Sequence, residues 1–244
     1  MNSASGIRRA GIIAAGHGER LRPGGHPLKP LVPINGRTLV ERVLASISET
    51  HPDEVVIIVN ETSRAVQDHV NGERWPFSIR WIVETTPSSM HSFLRVVEAL
   101  AHSDAAGPFL VSTVDTVAAP GTYATFVTAS QLLDADVVLA VAPVTDDEKP
   151  LMVRTLPGSP RVAAIGAAAA DASWATAGYY CVRPTVLREG DAARRAGVAA
   201  LRAFFGRLHA RGYAFAAVPV SGGVDVDRPA DVSAAERYLR QVGA

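Results

Sequence analysis

The sequence predicts an α/β protein: three α/β/α layers around a mostly parallel, doubly wound, Rossmann-like sheet, with a small β-hairpin or lid added by the C-terminal part. Three observations carry this. Short apolar runs alternate with helical patterns up to about residue 144, as repeated β-α units do. Runs such as VVIIV (55–59) are apolar throughout, as strands of a parallel sheet covered on both faces are. Beyond residue 150 the pattern changes to two short runs around a Pro-Gly-Ser-Pro turn, which reads as a hairpin.

In chain order, RAGIIAAG (9–16) is the first buried strand, followed by a glycine-rich loop. TLVERVLASISE (38–49) has apolar residues at helical spacing, with Thr38 as its N-cap. EVVIIVN (54–60) is the second strand, SRAVQDHVN (63–71) a helix and FSIRWIVE (77–84) the third strand. SMHSFLRVVEALAH (89–102) is a helix opened by a Pro-Ser-Ser cap. PFLVSTVD (108–115) is a strand ending in Asp115, GTYATFVTASQLL (121–133) a helix and DVVLAVAPV (136–144) a strand. LMVRTLPGSPRVAAIG (151–166) forms the hairpin and WATAGYYCVR (174–183) another strand. RRAGVAALRAFFGRLHARG (194–212) reads as one amphipathic helix, YAFAAVPV (213–220) as a strand and PADVSAAERYLRQV (229–242) as a closing helix. The simplest organisation is one domain over 1–244. Its doubly wound half covers about 1–144, and a second half, about 145–244, completes the sheet. In open α/β sheets ligands sit beyond the carboxyl ends of the strands, which directs attention to the loops after Ala15, Glu84, Val114 and Val224.

The composition narrows the function. Lys and Arg number 24, as do Asp and Glu, so the chain is formally neutral. This argues against a nucleic-acid scaffold or a membrane-surface binder, and an anionic ligand must be held by a local cluster of cations. No apolar run approaches the roughly 18–20 residues of a membrane span, and the N-terminal MNSASGIRRAG lacks a signal-peptide core. A cytoplasmic protein is expected. Cys181 is the one cysteine, set among apolar residues, and reads as a small hydrophobe. Lys29 and Lys149 are the only lysines.

The loop AAGHGERLRPGGHPLKP (14–30) holds four glycines, Arg20 and Lys29. Three readings compete. It could be a plain surface turn, but structureless connections beyond about 12–15 residues usually carry function. It could be a dinucleotide fingerprint, but GHGERL lacks the third glycine and the next helical pattern begins only at Thr38. The third reading is a triphosphate cradle. Glycines let backbone N–H groups approach phosphate oxygens, Arg20 offers a planar donor fork, and Lys29, stiffened by Pro27 and Pro30, is an aimed point charge.

With that loop, AAGHGERLRPGGHPLKPLVPINGRTL resembles the signature of the sugar-phosphate nucleotidylyltransferases: A-A-G-x-G-x-R-L-x-P, a spacer, then P-K-P-L-x-P-x-x-G-x-x-L. Leu28 stands where proline commonly precedes the lysine, and the spacer is short. The resemblance implies the nucleotide-diphospho-sugar transferase type of fold, with an NTP-binding first half and an acceptor-binding second half. It also implies the reaction. An acceptor phosphate, usually a sugar 1-phosphate, attacks the α-phosphorus of an NTP in line, with Mg²⁺ bound, and pyrophosphate leaves. Ala14, Ala15, Gly16, His17, Gly18 and Glu19 would then line the nucleotide. Arg20 would hold the pyrophosphate and Lys29 would offset charge between the phosphates. Asp115 would be catalytic and the first Mg²⁺ ligand; alone it also reads as a turn or helix cap.

By the same resemblance GGVDVDRPADV (222–232) supplies the second carboxylate. Asp225 is the choice for Mg²⁺, with Asp227 as its competitor, since residues two apart in extended chain share a side. Asp231 fits a capping or surface role. Ser88, Ser89 and Ser92 lie where the family reads the base, although Ser88 or Ser89 is also a plain helix cap. SSMHS replaces the G-T-A-type turn seen there, so the motif leaves the base unspecified. WATAGYYCVRP resembles the strand lining the sugar pocket, which makes Thr176, Gly178 and Tyr179 acceptor-binding candidates; Gly178 is alternatively a bulge. Lys149, in Glu-Lys-Pro, precedes the hairpin where the family's acceptor-binding lysine follows it. The expected place, GAAAADAS (166–173), holds no lysine or arginine. A cytidylyltransferase for phosphocholine or inositol phosphate is therefore one alternative, and a non-catalytic nucleotide-binding regulatory module another. The partners expected are an NTP and a sugar 1-phosphate or other small phosphate, with homo-oligomerisation left open.

Overall fold

The computed structural model describes residues 7–16, 18–25, 28–101, 107–144 and 150–243. The expected first half forms β1 (Arg9–Ala14), α1 (Leu39–Ser48), β4 (Glu54–Val59), α2 (Arg64–Asn71), β5 (Ser78–Val83), α3 (Ser89–Ala101) and β6 (Phe109–Thr113), with β2 (Pro33–Ile34) and β3 (Arg37–Thr38) a two-residue hairpin before α1. There follow β7 (Thr116–Ala118), α4 (Thr122–Ser130), β8 (Val137–Pro143), the hairpin β9 (Met152–Thr155) and β10 (Val162–Ile165), and β11 (Trp174–Val182). The chain closes with α5 (Gly190–Arg195), α6 (Leu201–Ala210), β12 (Phe215–Pro219), β13 (Gly223–Asp225) and α7 (Pro229–Gln241).

The sheet is α/β and mostly parallel. β6, β1, β4 and β5 run side by side in one direction. β11 lies antiparallel between β6 and β8, and β12 joins β8 in parallel. Two large apolar clusters cover the sheet: one with α3 and α6, the other with α1, α2 and α4. Continuous apolar strands such as β4 are needed because both faces are covered.

β11 is nine residues long and changes neighbours on one edge. Trp174 and Ala175 pair with β9, whereas Tyr179 to Val182 pair with β6. Between these the sheet forks, and the register against β8 shifts between Thr176 and Tyr180. Gly178 sits in the fork at φ +81°. A Cβ there would stand 2.0 Å from Thr116 Oγ1, so the position needs glycine on both counts.

Three expectations change. The helix expected over 194–212 is two pieces: Gly197 at φ +68° ends the first, and Val198 N–H bonds back to Ala193 O. The strand expected to end at Asp115 stops at Thr113, and Asp115 lies in the turn to β7. β13 was not expected at all; it pairs antiparallel with β7. Among the described residues no helix is long and apolar enough to cross a membrane.

Candidate active site

The described parts of the glycine loop are built, not slack. After β1, Gly18 turns the chain at φ +60°, and a Cβ on it would meet Lys29 Cβ at 2.7 Å, so the two arms of the loop touch. Leu21 N–H bonds to Gly18 O, and Glu19–Gly24 coil into a 3₁₀ turn that buries Leu21 fully. A second 3₁₀ turn, Lys29–Leu31, has Pro30 buried within it. Leu21 packs with Val32, Ile34, Leu39, Val117 and Val226 in a third, smaller core. That core ties the loop to the β7–β13 pair, and α1 follows at once, started by the expected Thr38 cap with Glu41 in a reciprocal capping box.

This packing aims Lys29. Its side chain is only 11% exposed, and Nζ lies 2.6 Å from Asp115 Oδ2 and 2.6 Å from Asp227 Oδ1. Burial works against the ammonium charge most strongly, but the two carboxylates together outweigh it and hold the Lys29 pKa above its ordinary value. Asp115 mirrors this: burial raises its carboxyl, and Lys29 with Thr113 brings it below the usual range. Arg20 donates from Nη2 to Asp227 Oδ2 at 3.3 Å. The cations expected from the loop and two carboxylates from distant segments thus form one chain, Arg20–Asp227–Lys29–Asp115.

Asp225 belongs to the same wall by a different route. Its Oδ1 accepts from Thr116 Oγ1 at 2.7 Å, Thr116 approaches Thr113 Oγ1 at 3.3 Å, and Thr113 donates to Gly178 O at 3.2 Å. Val226 N–H bonds to Asp115 O, which draws the two carboxylate segments together. Asp115 and Asp225 both line a cleft of ≈ 220 Å³, with Thr113, Thr176, Gly178, Tyr180, Ser89 and Arg202. A larger cleft of ≈ 560 Å³ lies beyond Asp225 and includes Arg20, Asp227 and Tyr238, but neither Asp115 nor Lys29. The smaller one is the chemical candidate because both aspartates of the expected metal pair open onto it.

An oxygen-only pair of carboxylates suits Mg²⁺, which typically takes one or two carboxylates and completes its shell with waters and substrate phosphates. Among the described residues no cluster of three or more His, Cys, Asp or Glu side chains is built to hold a metal alone. Asp231 is drawn elsewhere: its Oδ2 accepts from the backbone N–H groups of Asp227 and Arg228, pinning the turn before α7.

The remaining candidates divide. Ala14 and Ala15 are buried at the end of β1, and Ala15 O accepts from Asn60 Nδ2. Gly16 and Glu19 are exposed, and His17 and Lys149 lie outside the described residues. Ser88 Oγ pairs with His91 Nδ1 at 2.8 Å. Ser89 Oγ accepts from Leu201 N–H at 3.0 Å, so its hydroxyl serves the start of α6, and the residue is part of the cleft lining. Ser92 is buried and bonded to Thr86 Oγ1 at 2.6 Å; its hydroxyl is committed inside the protein. Thr176 and Gly178 line the cleft. Tyr179 does not: it is fully buried and stacks on Tyr123 with ring centroids 4.2 Å apart. Tyr180 lines the cleft in its place. The signal was available, since 176, 178 and 180 share one face of an alternating strand. Cys181 is buried, and burial pushes its thiol up to about 12, as befits a packing residue.

Comparison with known proteins supplies the context. Residues 10–177 match the family described as MobA-like NTP transferase domain. A stretch of 89 residues is 33% identical to the CMP-5'-(3-aminopropyl)phosphonate synthase of Streptomyces rubellomurinus, covering 36% of this chain and 14% of that protein. Another of 59 residues is 42% identical to the bifunctional protein GlmU of Prochlorococcus marinus, covering 24% of this chain and 13% of that one. The chain therefore matches only a small part of the length of these relatives. Among solved structures, the inositol-1-phosphate CTP transferase from T. maritima superposes with a TM-score of 0.81 at 17% identity, over 98% of this chain and 97% of that one. A UDP-glucose pyrophosphorylase complexed with UDP-glucose gives 0.79 at 15%, over 96% and 99%. These two likenesses establish the fold.

Proposed function

The chain belongs to the family of MobA-like NTP transferase domains, and from that premise we propose that it is a nucleotidylyltransferase joining an NTP to a small phosphate acceptor, with Mg²⁺ as cofactor. The leading acceptor is a sugar 1-phosphate. An acceptor phosphate oxygen attacks the α-phosphorus in line, the bond from that phosphorus to the bridging oxygen breaks, and pyrophosphate departs. Such transfers need positioning and charge neutralisation more than covalent help.

In this reading the loop from Ala14 to Gly18 presents backbone to the triphosphate. Lys29 stabilises charge that builds on the phosphates, and Arg20 holds the leaving pyrophosphate. Asp115 and Asp225 hold Mg²⁺, whose chemistry is to neutralise the phosphate oxygens. The observation that carries the reading is the placement of Lys29 between Asp115 and Asp227 at 2.6 Å from each. A glycine loop that merely turned would have no reason to bury its one described lysine against two carboxylates.

A second reading within the same chemistry rests on the names of two relatives, a CMP-phosphonate synthase and an inositol-1-phosphate CTP transferase. It takes CTP as nucleotide and a small phosphate or phosphonate as acceptor. The test is pyrophosphate release with each of four NTPs against a panel of glucose 1-phosphate, inositol 1-phosphate, phosphocholine and 3-aminopropylphosphonate. Mg²⁺-dependent release with one pair is expected, and the pair identifies base and acceptor. Firm NTP binding without release from any pair would instead indicate a nucleotide-binding module.

A further inference from the structure

We propose that Arg202 reads the anionic phosphorus group of the acceptor, a compact phosphate monoester or phosphonate; this deepens the nucleotidyl-transfer reading and rests on it. The cleft of Asp115 and Asp225 is lined by Arg202 but by neither Lys29 nor Arg20. With Asp115 and Asp225 committed to Mg²⁺ and the NTP phosphates in the proposed reading, the acceptor's own charge calls for a further cation from the wall. Lys29 is already engaged by Asp115 and Asp227. Among the described residues Arg202 is the one cationic residue in the cleft lining.

Three arginines near it in the chain are held in ion pairs. Arg194 pairs with Glu98 and Asp191, and Arg207 and Arg211 both pair with Glu189. The Arg202 side chain makes no hydrogen bond or ion pair with any described residue. Among the described residues nothing competes for its planar fork, whose geometry suits the two-point recognition of phosphorus oxygens.

The backbone under Arg202 is fixed. Leu201 N–H donates to Ser89 Oγ at 3.0 Å, and Met90 N–H donates to Ala199 O at 3.0 Å, lacing the start of α6 to the start of α3. Tyr180, which also lines the cleft, packs edge-on against Phe205 of α6 with ring centroids 4.8 Å apart. The stretch 166–173, where a late basic residue was expected, contains none. Arg202 brings that charge from another element.

The test measures equilibrium binding of the four panel compounds to the full chain by calorimetry, with Mg²⁺ and a non-hydrolysable NTP analogue present. Arg202→Ala is expected to weaken the best-bound member by about tenfold to a hundredfold, the cost of one charge-assisted contact, with affinity for the NTP analogue unchanged. Arg202→Lys, which keeps the charge and loses the fork, should fall between the two, and thermal melts confirm that both variants fold. Equal binding by wild type and Arg202→Ala, or no binding of any member by the wild type, would overturn the proposal. Arg202-dependent binding with no pyrophosphate released from any NTP would uphold Arg202 as the anion reader and reject nucleotidyl transfer.

Discussion

Lys29 Nζ stands 2.6 Å from Asp115 Oδ2, across 86 residues of sequence. The contact joins the end of the glycine loop to the turn that follows β6. It places a buried cation beside a carboxylate where the carboxyl ends of β1 and β6 meet, the general location of ligands in open α/β sheets. Asp227 completes the arrangement from the far end of the chain.

Asp225 and Asp227 have different partners, and so their replacements should behave differently. Asp225→Asn is expected to raise the Mg²⁺ concentration needed for half-maximal turnover, because Asp225 shares the cleft with Asp115. Asp227→Asn should leave that requirement closer to wild type and lower turnover by removing one of the two carboxylates that position Lys29. A Mg²⁺ titration of both variants checks this; a larger shift for Asp227→Asn would exchange their assignments.

Gly178→Ala should destabilise the fold by about 1–3 kcal/mol, the range for a residue forced into a sparsely populated backbone region. Its Cβ would also press on Thr116 Oγ1, which supports Asp225. Both the unfolding midpoint in urea and turnover should fall. An unchanged midpoint would mean that the fork relaxes freely.

The start of α1 carries a pH dependence of known sign. Burial acts most strongly on the Glu41 carboxyl and raises it, but hydrogen bonds from Thr38 and the neighbouring His69 outweigh this and hold it below its ordinary value. Its contribution is present above the unfolded-state pKa and is lost as pH falls through the lower folded value. Urea midpoints for wild type and Glu41→Gln should converge as pH drops through that window. Parallel curves would remove Glu41 from the account. At neutral pH Thr38→Ala should cost about 1 kcal/mol, as loss of an N-cap does.

Much of the fold was legible because local signals agreed with tertiary packing. The β1 strand, the Thr38 cap, the β9–β10 hairpin and the apolar strands all follow from residue type and period. The loop's residues also pointed to Lys29 and Arg20, and the family resemblance to Asp115. What was not legible depends on contacts between distant segments. β7 and β13 are three residues each and exist because they pair with one another around Val117, Val226 and Leu21. The bond between Lys29 and Asp227 spans 198 residues, so spacing alone could not separate the roles of Asp225 and Asp227. Arg202 lies within what reads as one amphipathic helix, whereas the chain breaks at Gly197 and is laced to Ser89 beside the cleft.

The central claim is that the loop lysine serves phosphate chemistry, and turnover of Lys29→Ala tests it most directly. Pyrophosphate release by this variant, with the best NTP and acceptor pair, should fall by about 10²–10³, the usual loss on removing one preorganised charge donor. Its thermal melt should still show a cooperative fold. Near wild-type release from a folded Lys29→Ala protein would contradict the account.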